Sequence, residues 1–202
     1  MNTIEAIQSR RAIKHYDPEY HMSEEQVQEL LGLAMLSPTA FNIQHWRFVV
    51  VKDPAIRQQI RENAWDQAQV TAASLLLVLC ADTKAWEKDT ARYWTEAPAE
   101  VGAMMVPAIQ QYYEGKERVQ RDECMRSLGI AGQTIMLASK AMGLDSCPMD
   151  GFDYEAVGKI IHLPEDHLIG YMIAVGKGTK DAWPRPGQLP ASEVILENGF
   201  GN

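Results

Sequence analysis

The feature that most constrains the fold is an unbroken apolar stretch of one strand's length. In "SLLLVLCAD", residues 74–82, every residue between Ser74 and Asp82 is apolar. A strand with one face in water alternates apolar and polar residues, whereas a strand covered on both faces is apolar throughout. We therefore predict a strand with protein packed against each of its faces.

Further strands and helices follow this run in an irregular order. Residues 46–52 and "HLIGYMIAVGKG" at 167–178 are predicted as strands, and residues 153–161 as a short helix. Residues 84–122 mix aromatic side chains with charges and are predicted as helices that form a lid or an excursion. The irregular order indicates the α+β class, with a mixed β-sheet surrounded by helices.

Capping signals mark where several helices begin and end. Ser23 and Gln26 form a capping box, and Asp53 before Pro54 combines a cap with a proline in the first turn. Gly143 in "GLDSCPMDG" is placed to end a helix and to begin a turn.

Residues 124–142 predict a helix without a polar face. Apolar and small side chains, among them Leu128, Ile135 and Ala141, surround it almost completely. Such a helix is buried either in a core or in an oligomer interface.

Length, charge and cysteine content limit the class of protein. The 202 residues fit a single domain over residues 1–202, and the net charge of −8 argues against nucleic acid or an anionic membrane as the partner. Cys80, Cys124 and Cys147 are widely separated, which indicates reduced thiols. Because neither a signal peptide nor a membrane-spanning apolar run is evident, we expect a soluble cytoplasmic protein.

Several common catalytic signatures are missing from the sequence. Gly176 and Gly178 form a G-x-G without the third glycine or the context of a dinucleotide fingerprint. His162 and His167 are expected on the surface without metal-ligating companions, and no metal site is predicted. An enzyme built from this chain therefore needs a cofactor for the difficult chemical step.

A basic cluster formed by Arg10, Arg11 and Lys14 stands near the amino terminus of this acidic chain. If the first helix continues through the cluster, Arg10 and Lys14 share one helical face. The cluster is either a solvated helix end that complements the helix dipole or a site for an anionic ligand. Arginine offers phosphate oxygens a planar fork, and lysine offers a point charge.

Polar donors crowd the loop within "SPTAFNIQHWRFVVV", residues 37–51. Taken singly, Pro38 and Thr39 fit a helix stop, Asn42 fits a turn and Trp46 fits core packing. Their fixed mutual offsets make the segment a recognisable motif.

Four segments resemble, in order, the signatures of the nitroreductase family of flavoproteins. They are "SRRAIKHYD", "SPTAFNIQHWRFVVV", "GIAGQTIMLASKAMGLDSCPMDGFD" and "LIGYMIAVGKG". The resemblance spans essentially the whole chain. The second segment is the most specific, because Ser-Pro-small-small-x-Asn-x-Gln-x-Trp before a valine-rich strand is hard to obtain by chance.

The resemblance implies an FMN-dependent NAD(P)H oxidoreductase that works as an intertwined homodimer with flavin at the subunit interface. In the implied ping-pong reaction, hydride passes from NADH or NADPH to flavin N5 and then to an electrophilic small molecule such as a nitroaromatic or a quinone. The protein contributes positioning and electrostatics. Two alternatives remain: a flavin-binding carrier or sensor without turnover, and a cofactor-free helical interaction domain.

The resemblance also assigns roles to individual residues. Arg10 and Arg11 match basic residues that hold the flavin phosphate and ribityl chain, and Lys14 matches a lysine near the pyrimidine edge of the ring. Asp150 and Gly151 match a turn whose backbone N–H points at the reactive nitrogen N5.

The polar loop matches a segment that one subunit lends to its partner's flavin. Pro38, Thr39 and Ala40 belong to that segment, and Asn42 and Gln44 match polar positions beside it. The resemblance thus explains the crowded donors as groups that satisfy a polar, planar cofactor.

Some positions depart from the family pattern. Ala12 stands at a flavin-binding position often held by serine, and His45 replaces the usual proline. Asp66 and Gln69 match ring-contacting positions where asparagine and lysine are common.

The remaining assignments concern the tail and three aromatic residues. Arg185 is the expected last phosphate ligand, with Lys177 as the second choice. Phe41, Trp94 and Tyr112 are expected either to line the acceptor pocket or to pack in the core.

Overall fold

A four-stranded antiparallel sheet forms the centre of the protein, which a computed structural model describes over residues 1–200. The strands are β1 (Trp46–Val50), β2 (Leu75–Asp82), β3 (Asp145–Met149) and β4 (His167–Gly176). They lie in the order β1-β2-β4-β3, and each neighbouring pair is antiparallel. The sheet therefore has two central strands, β2 and β4, and two edges.

Helices surround the sheet, and the predicted α+β class is confirmed. Within residues 1–200, no helix is both long and apolar enough to cross a membrane. The helices are α1 (Thr3–Ser9), α2 (Glu24–Ala34), α3 (Pro54–Glu62), α4 (Gln69–Ala72), α5 (Ala99–Tyr113), α6 (Glu117–Ala141), α7 (Tyr154–Ile160) and α8 (Ala191–Val194), with short 3₁₀ turns at Ala40–Asn42, Ala85–Glu87 and Thr90–Trp94.

Both faces of the sheet are covered, which explains the apolar run of β2. Leu76 packs in one buried cluster with Ile60 of α3, and Leu77 packs in a second cluster with Leu128 of α6. Every residue of β2 is buried. The prediction of a doubly covered strand is confirmed.

The predicted helix caps are also confirmed. Ser23 Oγ accepts a hydrogen bond from the Gln26 N–H at 3.2 Å, and Gln26 Oε1 accepts one from the Ser23 N–H at 2.9 Å. At α3, Asp53 Oδ1 accepts from the Ala55 N–H at 2.8 Å. Gly143 follows α6 with φ +78°, a left-handed conformation that suits glycine.

Helix α6 differs from its prediction in length and in burial. It begins at Glu117 and ends at Ala141, and one of its sides faces away from the core. On that side Ile130 is 44% exposed, so complete burial within the chain's own core is wrong. Exposed apolar side chains on α1 and just beyond α2 extend this surface, with Ile4 67% and Leu36 80% exposed.

Strand β3 was not expected, because its segment "DSCPM" was predicted as part of a turn. It carries Pro148, which lacks an N–H for the ladder. The strand tolerates this proline because it is an edge of the sheet, and the Pro148 side chain is exposed. A short edge strand held by long-range pairing with β4 and by a bridge from Ala12 leaves little local signal in a sequence.

The segment 84–122 is helical as predicted and is attached loosely. Only two residues of α5, Ile109 and Tyr113, are buried. Pro107 lies inside α5 and removes one backbone hydrogen bond from it.

Candidate functional site

The basic cluster begins where α1 ends. The helix ends at Ser9, and Arg10 has extended dihedral angles of φ −59° and ψ 130°, so the helix does not continue through the cluster to residue 14. The reason is long-range pairing: Ala12 bridges to Ser146 of β3, and the Ile13 N–H donates to the Ser146 carbonyl at 3.1 Å. The chain therefore runs beside β3 instead of coiling.

An extended chain places alternate side chains on opposite sides, which separates the two arginines. The Arg11 guanidinium donates a hydrogen bond to the Trp183 carbonyl of the tail. Arg185 reaches the other arginine and donates to the carbonyls of Gln8 at 3.2 Å and Arg10 at 3.4 Å. Burial, followed by the charges of Arg185 and Arg11, lowers the pKa of Arg10.

The positive charges of this region have no carboxylate partner among residues 1–200. No salt bridge within that part of the chain involves Arg10, Arg11, Lys14 or Arg185. Partly buried cations of one sign repel one another, and an anion bound between them removes that cost. The donor set therefore fits a phosphate group.

Lys14 and Arg10 lie near the same buried thiol of β3. Burial raises the pKa of Cys147, while the charges of Lys14 and Arg10 oppose that rise. Lys177 is exposed, and its carbonyl accepts from the Asp17 N–H at 2.9 Å, which ties the start of the tail to the basic segment. The structure thus brings Arg10, Lys14 and the tail together beside β3.

The turn that follows β3 gathers a second group of predicted residues. The Gly151 carbonyl accepts from Gln67 Nε2 at 2.8 Å, and Gln67 Oε1 accepts from Gln69 Nε2 at 3.0 Å. Gln69 is only 4% exposed, whereas the Asp66 carboxylate is mostly exposed and pairs with Arg61 at 2.6 Å. Gln67 was not selected from the sequence, and it is the residue that joins these positions.

Asp150 takes part in the same turn through its side chain. Its carboxylate accepts a hydrogen bond from the Tyr154 hydroxyl, whose oxygen also lies 3.1 Å from the Gly170 carbonyl oxygen. Burial and the bond to Asp150 raise the pKa of Tyr154 to about 12. The turn is therefore anchored to both α7 and β4.

Trp65 is a second residue that sequence reasoning missed. Its side chain is exposed, and its backbone has φ 54°, a left-handed conformation that is uncommon for a bulky residue. A Cβ at Gly151 would lie 2.2 Å from the Trp65 ring, so the indole rests directly on the glycine. The available signal was a lone tryptophan in a short polar turn between two helices.

The basic segment and the Gly151 turn flank one strand. Ala12 pairs with Ser146 near the start of β3, and Gly151 comes five residues later, just after its end. At roughly 3.3 Å per residue, this spacing is about 16 Å. The edge thus offers an elongated ligand a cationic end and a flat backbone end.

The backbone of the loop 38–44 is strained, and hydrogen bonds within the loop and to nearby residues of the same chain hold it in place. Phe41, Asn42 and Gln44 have positive φ values of 53°, 57° and 53°. The Gln44 N–H donates to Thr39 Oγ1 at 2.9 Å, and Asn42 Nδ2 donates to the Tyr93 carbonyl at 2.9 Å. Strain of this kind persists where the surroundings over-determine it, often at functional sites.

Two further predicted members of this loop are Pro38, which is exposed, and Ala40, which is half-buried. They leave the outer side of the loop open. Within residues 1–200, no hydrogen bond joins residues 38–44 to residues 10–14. That this loop completes the site of a partner subunit stays a prediction.

Two of the three aromatic residues named from the sequence lie close together. Phe41 and Tyr112 have ring centroids 5.3 Å apart with a tilt of 53°. Trp94 packs against the same buried cluster as Phe41. The site therefore has aromatic surface on its loop and on α5.

His167 is not the surface residue that the sequence predicted. Its Nδ1 lies 2.6 Å from Asp166 Oδ1, and its Nε2 lies 4.0 Å from the buried Asp82 carboxylate. The Lys88 ammonium lies 2.9 Å from Asp82 and 2.5 Å from Asp166, and the bonds from Lys88 and His167 lower the pKa of Asp166 to about 2. Asp82, Asp166 and His167 are close enough together to bind a metal ion. The Lys88 ammonium already supplies a positive charge to both carboxylates.

Comparisons with known proteins identify relatives of this chain and of its fold. Residues 7–177 match the nitroreductase family. The chain is 48% identical over 200 residues to protein DrgA of Synechocystis, covering 96% of this chain and 95% of that protein. It is 33% identical over 202 residues to NADH dehydrogenase of Thermus thermophilus, covering 93% and 91% of the two chains. A crystal structure from Exiguobacterium sibiricum, a complex with FMN, has a TM-score of 0.91 and 25% identity, covering 98% of each chain.

Proposed function

This chain belongs to the nitroreductase family, and from that premise we propose that it is an FMN-dependent oxidoreductase that passes electrons from NADH or NADPH to an electrophilic small molecule. The observation that carries the proposal is the set of unpaired cations beside β3. A phosphate placed there is bound by charge-assisted hydrogen bonds, for which arginine is especially suited. Arg10 and Arg185 are the proposed phosphate ligands, and Arg11 supports them by holding the tail.

The remaining contacts are proposed along the edge of β3. Bound FMN supplies a carrier that takes up hydride at its ring nitrogen N5 and delivers it to an acceptor. Lys14 places a positive charge where negative charge builds up on a bound ring, which stabilises the reduced form. The turn at Asp150 and Gly151 presents backbone to the ring, and Asp66 and Gln69 lie beside that turn.

We further propose a homodimer in which each subunit lends residues 38–44 to its partner's site. The support is the exposed apolar surface made by Ile4, Ile7, Leu36 and Ile130, since isolated soluble proteins seldom expose such contiguous patches. The loop's open outer side and its lack of hydrogen bonds to its own basic segment fit this arrangement. Dimerisation then completes each site.

The proposed acceptors are nitroaromatics and quinones, which are planar and can stack on aromatic rings. Phe41 and Tyr112 supply such rings at the edge of the loop. Donor and acceptor use the same face in turn, in a ping-pong sequence. The three buried, unpaired cysteines support a reducing compartment such as the cytoplasm.

An Arg10→Ala variant tests the cofactor site. Loss of one charge-assisted hydrogen bond donor is expected to weaken FMN binding about 10- to 100-fold, while the unfolding midpoint without FMN changes little. The measurement is FMN titration followed by visible absorbance and flavin fluorescence. Arg118→Ala, which removes an exposed arginine of α6, is the control and should bind FMN as the wild type does. Equal affinity in the Arg10 variant would contradict the assignment.

Turnover separates an enzyme from a carrier on the same scaffold. Steady-state oxidation of NADH and NADPH with a quinone acceptor is expected, and the ratio of the two rates gives the donor preference. Bound FMN without turnover would favour a flavin carrier or sensor. A purified protein that stays colourless after FMN is added would leave only an interaction domain.

A further inference from the structure

Helix α5 depends on few anchors. Of its side chains only Ile109 and Tyr113 are fully buried, both after Pro107. The half of the helix before this proline exposes apolar side chains such as Met104, which is 59% exposed. Few buried contacts and an interrupted hydrogen-bond ladder mark a segment of low local stability. The contacts that fix the position of α5 are therefore at its carboxyl end.

His45 meets α5 at this anchor from inside the protein. The imidazole is completely buried, with Nε2 3.3 Å from the Tyr113 hydroxyl and Nδ1 3.4 Å from the Asp82 carbonyl. Cys124 Sγ lies 3.7 Å from Nδ1, and its thiol donates to the same Asp82 carbonyl at 3.6 Å. Because a carbonyl only accepts, we assign the proton to Nδ1, and Nε2 then accepts from the Tyr113 hydroxyl. One neutral tautomer thus joins the start of β1, the end of β2 and the end of α5.

Tyr113, which the bond to His45 holds in place, contacts three neighbouring aromatic rings. Its ring stacks on Trp86 at 6.0 Å, and it makes edge contacts with Tyr112 at 4.9 Å and Phe41 at 6.2 Å. Tyr113 is itself fully buried. A shift of Tyr113 would therefore displace the rings on both the loop and α5.

The loop before His45 needs such a restraint. Its three left-handed residues, Phe41, Asn42 and Gln44, each cost free energy that the surroundings must offset. His45 is the residue directly after this loop, and its polar side chain is completely buried. Where the family pattern has a rigid proline, this chain has a side chain that bonds to α5.

From these contacts we propose that His45 is a positioning residue whose hydrogen bond to Tyr113 locks α5 onto the loop 38–44. The lock keeps Phe41 and Tyr112 in one arrangement, which forms the stacking surface for a planar acceptor. The docking of α5 stands on the contacts alone, and the acceptor role rests on the proposed function.

The docking is tested by hydrogen exchange on the full-length protein. Tyr113→Phe removes only the hydroxyl, and amides of residues 99–113 should exchange roughly five- to tenfold faster, the factor expected for one lost hydrogen bond. Tyr171→Phe is the matched control, because its hydroxyl also makes one hydrogen bond, which it donates to the Leu128 carbonyl at 3.3 Å. It should leave exchange in α5 unchanged. Unchanged exchange in the Tyr113 variant would overturn the proposal.

Coupling of the two residues is tested with His45→Phe, alone and combined with Tyr113→Phe. If the two side chains act through one bond, the double variant should accelerate exchange in α5 no more than His45→Phe does. Additive effects would contradict a shared bond. If His45→Phe does not fold, His45→Leu takes its place, because its smaller side chain also offers Tyr113 no hydrogen-bond acceptor.

The acceptor role is tested by steady-state kinetics of the FMN-loaded variants. For Tyr113→Phe the KM for a quinone should rise severalfold, while turnover with ferricyanide, which needs no stacking surface, stays at the wild-type level. Faster exchange in α5 without a change in quinone KM would reject the acceptor role. A wild-type protein without turnover would refute the proposed function and leave the exchange result standing.

Discussion

At the scale of single residues, the contact between Trp65 and Gly151 shows why position 151 is a glycine. The indole lies where any Cβ would be placed, at 2.2 Å. Its backbone and that of Asp66 both have positive φ, so the turn that presents the ring is strained. The sequence resemblance selected Gly151 for its backbone N–H, whereas the structure adds a steric reason.

Gly151→Ala is expected to push the Trp65 ring out of place. The exposed indole can rotate away, so the loss in free energy of unfolding should lie at the low end of the ~1–3 kcal/mol typical of overpacking. Urea unfolding measures the loss, and tryptophan fluorescence reports the displaced ring. In a Trp65→Ala background the same substitution should cost almost nothing, and an equal cost in both backgrounds would rule out the clash.

His45 predicts a particular pH dependence of stability. Burial lowers its pKa in the folded chain below the usual 6.5, so below about pH 6.5 the unfolded chain binds more protons. Stability contributed by the neutral imidazole is therefore present above this pH and is lost as the pH falls toward the folded pKa. Urea unfolding between pH 5 and 8 should show a smaller acid loss in His45→Gln than in the wild type. Identical pH profiles would refute this.

The residues of the candidate site differ in how far they could be predicted. Arg10 and Lys14 could be predicted from the local cluster of basic residues. The loop 38–44 could be predicted from the spacing of its motif residues. Gln67 and Trp65 could not be selected, because their importance comes from contact with Gly151, which is more than eighty residues away. Contacts of that kind leave no periodicity in a single sequence.

At the scale of secondary-structure elements, local signals were sufficient where the element has its own pattern. The apolar run gave β2, and the capping box gave the start of α2. The end of α1 at Ser9 and the strand β3 were missed for one shared reason. Each exists because the chain around Ala12 lies beside β3, and that pairing joins segments distant in sequence.

Ser23→Ala tests the start of α2. Removing the hydroxyl leaves the Gln26 N–H without its partner, which should lower the free energy of unfolding by about 1 kcal/mol. Chemical unfolding measures the change. Ser9→Ala is the control, because that hydroxyl bonds to a carbonyl within its own helix and should matter by less than about 0.5 kcal/mol. Equal losses would show that the cap is not the cause.

At the scale of the whole molecule, the proposed dimer through the exposed apolar surface of α1, α2 and α6 would link assembly to cofactor binding. The predicted helix of residues 124–142 is half core and half surface, so the core interpretation holds for one side and the interface interpretation stays a prediction for the other. One side packs under the sheet, and the other, with Ile130, is free to meet a second subunit.

Ile130→Asp is expected to weaken the proposed dimer, because a carboxylate would be buried at the interface without a partner. Sedimentation should show at least a tenfold higher dissociation constant, together with reduced FMN retention, since each site loses the partner's loop. Ile130→Val keeps the surface apolar and should stay dimeric. A monomeric wild type, or a dimeric Asp variant with full FMN content, would contradict the arrangement.

The placement of the candidate site beside β3 has a consequence for how a ligand could leave and be replaced. The residues proposed to face the ligand are attached to the rim of the sheet, whereas β2 and β4 are sealed between helices in the interior. Release and reloading of an occupant would then require the rim and the proposed partner loop to loosen, while the interior remains closed throughout. A scaffold built in this way can change what it carries without having to refold.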